Sequence, residues 1–383
     1  VAQKTKIEHY DVIVCGAGPA GASAAKFLSD AGLRVLVVDS KPLPRLKLCA
    51  GGLNPRAYEF VRRHFGAIPQ NIFSKPISWM GLRAQFGANY ALHEFLEWNR
   101  HEKQPRYSPS YPEIPNAVSC IWRDQFDYWL LRKSGAQIQP HCELIDLKTI
   151  GCGGVAVTIG DKTKGSVSEI SCSYVIGADG AASKTRRLLD PAFDQRVSWF
   201  SIYEQWVAGS IALDPNWYYM FVGRDFIDLF SSFFVKDDYL IFSHVSRKGV
   251  PSKGRLASFL NFLVESYHLE IARELRSWSC VVNNMGATDS FCFGSGRVVL
   301  VGEAAGFIGF CGEGISGALV SGKLAAEAII ENKGDPAVVL ERYMSASLPL
   351  RERIHQEHET GKMFPVNAYQ FYTMLPGQEG NED

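Results

Sequence analysis

Residues 11–39 read DVIVCGAGPAGASAAKFLSDAGLRVLVVD, and their order decides the fold. Val12 to Cys15 is an apolar run long enough for a strand buried on both faces. It runs into Gly16-Ala17-Gly18-Pro19-Ala20-Gly21, a G-x-G-x-x-G. Ala22 to Ala31, rich in small and straight-chain residues, predicts a helix that ends at Gly32, placed to act as its C′ residue. Leu33 to Val38 reads as a second buried strand, closed by the acidic Asp39. Gly16 permits a tight turn, Gly18 lets the backbone approach a pyrophosphate, and Gly21 lets helix pack closely on strand. Pro19 and Ala20 lead into a helix N-terminus that offers N–H groups and partial positive charge to phosphates. Asp39 is suited to accept hydrogen bonds from the hydroxyls of an adenosine ribose. This is a dinucleotide site, and at this point FAD and NAD both remain open.

A chain of 383 residues suggests two domains, one inserted into the other. Lys+Arg and Asp+Glu are both 40, so no net charge drives binding to nucleic acid or to an acidic membrane. The nine cysteines show no paired C-x-x-C spacing and read as reduced thiols, with neither a disulfide framework nor a metal site. The opening VAQKTKIEHY has no apolar signal core, and no stretch approaches the ~18 to 20 apolar residues of a membrane span. The expectation is a soluble, cytoplasmic protein with no nucleic-acid partner, for which peripheral membrane contact stays compatible. Oligomeric state is not legible.

Beyond Asp39, Ser40 to Leu53 reads SKPLPRLKLCAGGL. Its two prolines deny it a helix, and Gly51-Gly52 allow unusual backbone angles beside Cys49 and Ala50. This loop, with Ser40 and Lys41 at its start, is expected to lie over the bound dinucleotide. Asn54-Pro55 predicts the start of a helix running to Phe65. In CIWRDQFDYWLLR, residues 120–132, a short strand gives way to a helix carrying Arg123 and Asp127. A charged hairpin tip is expected at Gly160 to Gly165. Tyr174 to Ile176 predicts a strand entering Gly177-Ala178-Asp179-Gly180, with Ser183 starting the next helix. Trp199 to Trp206, Tyr218 to Val222, Leu229 to Phe234 and Tyr239 to His244 read as an antiparallel sheet, followed by a helix around Arg255 to Tyr267. Arg297 to Val301 predicts another buried strand, leading into Gly302-Glu303-Ala304-Ala305-Gly306, then Phe310-Cys311-Gly312-Glu313-Gly314-Ile315 and a helix over 316–331. Residues 336 to 363 read as helical, and Gly377 to Asp383 as a frayed end.

Taken together, GAGPAG with Asp39, Arg123 with Asp127, GADG, and GEAAGF with GEGI resemble the flavoprotein monooxygenase and geranylgeranyl reductase superfamily, which shares the p-hydroxybenzoate hydroxylase fold. PRLKLCAGGL resembles the geranylgeranyl reductase branch in particular. The resemblance implies FAD as cofactor. It implies that Arg123 reaches the FAD phosphates or ribityl region and that Asp179 and Gly180 sit near the pyrophosphate. Gly302, Glu303, Ala304 and Gly306 would meet the ribityl chain, where Glu303 stands in place of the family's Asp. Gly312, Gly314 and Ile315 would approach the isoalloxazine, with the following helix aiming its positive end at the pyrimidine ring. Cys49 would lie beside the ring system as a catalytic candidate, the other reading being a buried structural thiol.

The implied fold class is α/β: a Rossmann-like FAD-binding domain with a parallel sheet (1–75, 116–187 and 286–335), interleaved with an antiparallel-sheet substrate domain (76–115 and 188–285), plus a C-terminal helical segment (336–383). The resemblance implies an oxidoreductase that takes electrons from NAD(P)H or ferredoxin. The reading drawn is reduction of a carbon–carbon double bond in an apolar, isoprenoid-like small molecule. Its alternatives are hydroxylation of an aromatic or apolar group, on a small molecule or a partner protein, and flavin binding without turnover. The substrate positions are Phe230, Ser232 and Phe234, in a stretch where the family carries Tyr-x-Trp-x-Phe-Pro. Ser232 for Trp removes a large, flat wall.

Overall fold

The structure is a computed structural model that describes residues 8–97, 118–151, 153–222, 230–249, 252–309 and 312–361. Phe310, Cys311, Leu229 and the segment 377–383, all singled out above, lie outside the described residues, as does most of 76–115 beyond residue 97. In chain order the α-helices are α1 (Pro19–Asp30), α2 (Pro55–His64), α3 (Arg123–Lys133), α4 (Lys184–Leu189), α5 (Ser252–Tyr267), α6 (Ile315–Asn332), α7 (Pro336–Ala346) and α8 (Leu348–Gly361). Two compact units form. The first takes Val1–Leu46, Asp124–Val197 and Asn284–Glu359; the second takes Lys47–Arg123, Ser198–Asn283 and Thr360–Asp383.

The first unit is built on a sheet whose central strands are all parallel. Val298–Leu300, Ser166–Gly177, His9–Cys15, Val35–Asp39 and Gln137–Pro140 lie side by side in that order. Its middle strands are continuous runs of Val and Ile because both of their faces are covered, and Val12, Ile13, Val14, Leu36 and Val37 are fully buried. Gly154–Asp161 and Cys142–Ile150 extend the sheet as antiparallel ribbons, with the expected hairpin tip between Asp161 and Ser166.

Helix α1 begins at Pro19, three residues before the apolar pattern suggests. Proline lacks an N–H and has a preset φ, so it fits the first turn, where its missing donor costs nothing. Helix α6 lies against α1 at backbone contact: a β-carbon on Gly322 would stand 2.3 Å from the Ala20 carbonyl oxygen. The Ser23 hydroxyl donates to the Leu319 carbonyl at 2.7 Å across the same seam. The helical stretch expected over 336–363 divides into α7 and α8 at Ser347, just before Pro349, which cannot continue a helix from the preceding turn. Both helices belong to the first unit rather than to a separate segment. The Tyr343 hydroxyl donates to Leu300 O at 3.0 Å, and Arg351 pairs with Asp289.

The second unit contains a seven-stranded sheet, ordered Glu270–Asn283, Trp199–Ser210, Tyr239–Arg247, Phe230–Lys236, Tyr218–Val222, Gly81–Phe86 and His93–Glu97. It is antiparallel as expected except at one seam, where Tyr218–Val222 runs parallel to Gly81–Phe86. That seam arises because the latter strand comes from an earlier segment of the chain, so no hairpin links the pair. Residues 47–75 belong here, not with the dinucleotide-binding part, because Gly52–Leu53 and Phe73–Trp79 both pair with Val118–Ile121 in a small sheet. Conversely, residues 188–197 fall in the first unit. Helix α5 covers one face of the large sheet, packing Leu256, Phe259 and Leu263 on Tyr219, Phe221 and Phe242. His244 is buried beneath that layer, its Nε2 without a hydrogen-bond partner among the described residues.

Two outcomes follow from this packing. Gly322→Val should cost roughly 1–3 kcal/mol or more, because backbone on α1 must yield, whereas Gly334→Ala, with open space around its α-carbon, should leave thermal unfolding unchanged. Burial, with Arg255 adding to it, pushes the His244 pKa down to about 4. The unfolded chain therefore binds a proton that the fold refuses, and stability is lost as pH falls from the ordinary histidine value toward about 4. Between about pH 7 and 5 that loss is about 2 kcal/mol, and the shift of the urea midpoint should be smaller in His244→Leu.

Candidate functional site

The glycine-rich loop holds its shape by backbone contact. Gly16 N donates to Val38 O at 2.8 Å, and Ala178 N donates to Cys15 O at 2.8 Å, so the Gly16–Gly21 and Ala178–Gly180 turns meet at the strand ends. Gly16 has φ +116°, and a β-carbon there would strike Ala178 O at 2.3 Å. A β-carbon on Gly21 would lie 1.9 Å from Gly16 O. Gly18 differs: its backbone is extended, φ −84° and ψ −175°, and a β-carbon would meet only the Arg45 guanidinium, at 3.2 Å. As the N-cap of α1 it carries no side-chain acceptor, and no acidic residue stands in the first turn. That helix end keeps its positive character for an outside anion.

Asp39 sits at the end of its strand with its carboxylate largely enclosed. Oδ2 accepts from Ala17 N at 2.9 Å and Oδ1 from Lys41 N at 2.9 Å, which ties Ser40 and Lys41 to the loop. Arg45 Nε approaches Oδ2 at 3.3 Å, and Arg45 Nη2 lies 3.7 Å from Asp127 Oδ2. Arg45 is therefore clamped between two buried carboxylates beside Gly18. Arg45 lies within PRLKLCAGGL. Its signal was a cation six residues beyond the strand-terminal acid, in a loop that prolines fold back. Asp127 also takes an ion pair from a different segment, through Arg45, which the Arg123–Asp127 spacing does not announce. Arg123 itself opens α3 and is 8% exposed.

Asp179 is engaged by its own turn. Its carboxylate accepts from the Ser183 hydroxyl at 2.5 Å and from the Thr185 N–H and hydroxyl at 2.9 and 3.0 Å, capping α4. Gly180, at φ +78°, would carry a β-carbon 4.0 Å from Glu303 Oε2. Glu303 thus stands beside the GADG turn, and its Oε1 is buried without a hydrogen-bond partner among the described residues. Arg186, fully buried and unremarked in the sequence, bonds Ala304 O at 2.8 Å and Ala181 O at 2.6 Å, lacing the two turns together. Gly302 and Gly306 take positive φ, their α-carbons set against Ala20 and Met285. Around Gly312, also at positive φ, a β-carbon would meet nothing.

Gly314 is the N-cap of α6, and Ile315 opens the helix. Glu313 folds over that end: its carboxylate accepts from Ser316 N at 3.0 Å and from the Ser316 hydroxyl at 2.6 Å. The helix end expected to present bare positive charge is therefore partly neutralised by its own sequence, and Arg353 from α8 donates to Ser316 Oγ at 3.1 Å from the other side.

In the second unit, Cys49 is half-buried and its Sγ accepts from Gly51 N at 3.3 Å, closing a tight turn around Ala50. Gly51 has φ +72°, and a β-carbon would hit Ile121 O at 2.2 Å and Lys236 Nζ at 2.6 Å. Lys236 is 1% exposed and donates to Ile121 O at 2.8 Å. Burial lowers its pKa, against the opposing pull of Cys49, Cys120 and Glu204. Phe230, Ser232 and Phe234 alternate along one strand and so share a face, with Ser232 and Phe234 buried and Phe234 stacked on Tyr218 at 5.5 Å between ring centroids. Lys236 and Glu204 were not singled out from sequence. Nothing local marks a buried charge; only the strand register puts these residues on that face.

The comparisons with known proteins agree with this geometry. Over most of its length the chain resembles protein CbrA of Escherichia coli O157:H7, 25% identical over 390 residues that cover 97% of this chain and 98% of the relative. Among solved structures, a geranylgeranyl bacteriochlorophyll reductase-like protein from Thermoplasma acidophilum superposes with a TM-score of 0.73 at 19% identity, covering 97% of this chain and 89% of that one. The p-nitrophenol 4-monooxygenase PnpA of Pseudomonas putida gives a TM-score of 0.69 at 15% identity, covering 96% and 90%. The family described as FAD binding domain matches residues 9–220, more than half of the chain. With that match running from the first strand into the large sheet, the chain belongs to the FAD binding domain family and is an FAD-dependent oxidoreductase of the p-hydroxybenzoate hydroxylase fold.

Proposed function

We propose that the protein uses reduced FAD to saturate a carbon–carbon double bond in an apolar, isoprenoid-like substrate. The residues of the first unit fit the cofactor. Gly18 leaves its surface open beneath Arg45, the N-cap of α1 supplies no competing acceptor, and Glu303 Oε1 lies buried without a hydrogen-bond partner among the described residues. Gly16 to Gly21 with Arg45 would hold the pyrophosphate, Asp39 would face the ribose, and Gly180, Gly302 to Gly306 and Glu303 would hold the ribityl chain. Gly312, Gly314 and Ile315 would bound the ring. When bound and reduced, FAD supplies a hydride; NAD(P)H or ferredoxin is the proposed source of its electrons.

One observation carries the choice of substrate. The sheet face bearing Phe230, Ser232 and Phe234 continues across neighbouring strands as Met220, Tyr218, Ile241 and Trp206, an aromatic and aliphatic wall with small Ser232 and Ser243 set into it. Trp79 and Cys120 pack on the Trp206, Phe234 and Ile241 end of this face, and its apolar lining with few polar groups is of the kind that suits a hydrocarbon chain. The fold likeness to a geranylgeranyl bacteriochlorophyll reductase-like protein supports the same reading. Hydroxylation is the second reading, supported by the likeness to a p-nitrophenol monooxygenase.

Mixing anaerobically reduced protein with geranylgeraniol separates them: reoxidation of the flavin without oxygen supports reduction, whereas reoxidation that requires oxygen and yields a hydroxylated product supports the second reading. The cofactor placement has its own test. Gly18→Val is sterically tolerated by the fold, so it should unfold near the wild-type temperature yet bind FAD roughly tenfold more weakly or worse, measured by flavin absorbance of the purified protein. Full retention of FAD would displace the pyrophosphate from this loop.

A further inference from the structure

We infer that Glu204 is the proton donor to the substrate carbon that does not receive the hydride. The inference rests on the reduction proposed above and names the group that completes it.

Strand register places Glu204 on the substrate wall. It stands opposite Ser243, Ser243 opposite Ser232, and Ser232 opposite Met220, one rung across four strands. Directly opposed residues share a face, so Glu204 projects on the same side as Phe230, Ser232 and Phe234. The flanking rungs carry Ile202 with Val245 on one side and Trp206 with Ile241 on the other. An acid in this setting is conspicuous. It is 1% exposed, and among the described residues its carboxyl makes one hydrogen bond, accepted by Oε1 from Trp206 Nε1 at 2.7 Å. No cation lies within ion-pair distance of it among the described residues. A carboxylate so placed has lost its water without gaining a counterion, which favours the protonated form.

The surrounding charges agree. Burial raises the Glu204 pKa to about 7, with the Trp206 hydrogen bond and the charge of Lys236 pulling the other way. From the strand on the other side, Arg276 lies over the rings of Trp206 and Trp278, at 4.9 and 5.3 Å from their centroids. The nearby Cys120 thiol is pushed up to about 12 by burial and stays neutral. Glu204 is thus an acid that holds its proton near neutrality and can still release it, the property general-acid catalysis requires.

The step balances as follows. The alkene π bond breaks; one carbon takes the hydride supplied by reduced FAD, and the other takes the proton from the Glu204 carboxyl. The alkene gains two hydrogens and two electrons, FAD is oxidised by two electrons, and Glu204 is left as a carboxylate that solvent must reprotonate before the next turnover. A purely structural Glu204 would only accept the Trp206 N–H, and a glutamine would serve that purpose equally well.

The test uses the holoprotein. Wild-type flavin, reduced anaerobically and mixed with geranylgeraniol, should reoxidise at a rate that falls about tenfold per pH unit above about pH 7. Glu204→Gln should keep FAD and its rate of reduction, but reoxidise roughly 100-fold more slowly with no pH dependence. Glu204→Leu, which also removes the acid, reads the same loss if the glutamine variant does not fold. Independently of turnover, the infrared carbonyl band of a protonated carboxylic acid should titrate near neutrality in wild type and be missing from Glu204→Gln. Reoxidation of Glu204→Gln at the wild-type rate, or a Glu204 already ionised at about pH 5, overturns the assignment while leaving the reduction reading intact. A wild type that never reoxidises on the alkene without oxygen sinks the reduction reading, and the donor role falls with it.

Discussion

Where Gly16, Gly21 and Gly322 sit, backbone touches backbone and no side chain fits between. A β-carbon at Gly21 would lie 1.9 Å from a carbonyl oxygen, and one at Gly322 would lie 2.3 Å from another. This exclusion sets the depth at which α1 enters the parallel sheet and lets α6 lie flush against it. Every other feature of the nucleotide-binding unit is built outward from that contact. The starts of α1 and of the 302–306 turn come together because Gly302 packs its α-carbon on Ala20 and donates its N–H to the Ser321 hydroxyl oxygen.

The acidic residues divide their labour on this frame. Asp39 and Asp179 spend their oxygens on backbone N–H groups and hydroxyls of their own loops, which makes them organisers of turn geometry. Glu303 differs, with a buried oxygen that has no hydrogen-bond partner among the described residues. Buried polar atoms without partners are uncommon because they forfeit hydration. The second unit repeats the pattern: Lys236 donates to a carbonyl, while the Glu204 carboxyl makes one hydrogen bond among the described residues.

Much of this was legible from the chain alone, for reasons tied to particular residues. Strands buried on both faces are written as unbroken Val and Ile, and the G-x-G-x-x-G with Asp39 follows from local turn chemistry. Asn54 and Ser183 announce their helices because each accepts a first-turn N–H, from Ala57 and Arg186 respectively. Arg45, Arg186, Lys236 and Glu204 were not legible, because each acquires its meaning from a partner on another strand or loop. The placement of residues 47–75 is of the same kind: Gly52–Leu53 and Phe73–Trp79 pair with Val118–Ile121, which local pattern does not encode.

The order of the central sheet has a consequence for biosynthesis. Its neighbouring strands come from residues 9–15, 35–39, 137–140, 166–177 and 298–300, and α6 to α8 follow later still. As the chain emerges from the ribosome, the strand His9–Cys15 must therefore wait for its neighbour Ser166–Gly177, and that strand in turn for Val298–Leu300. Through that interval the edge of His9–Cys15 that faces away from Val35–Asp39 stays unshielded, which exposes the nascent chain to non-native association and ties completion of the sheet to late-synthesised strands.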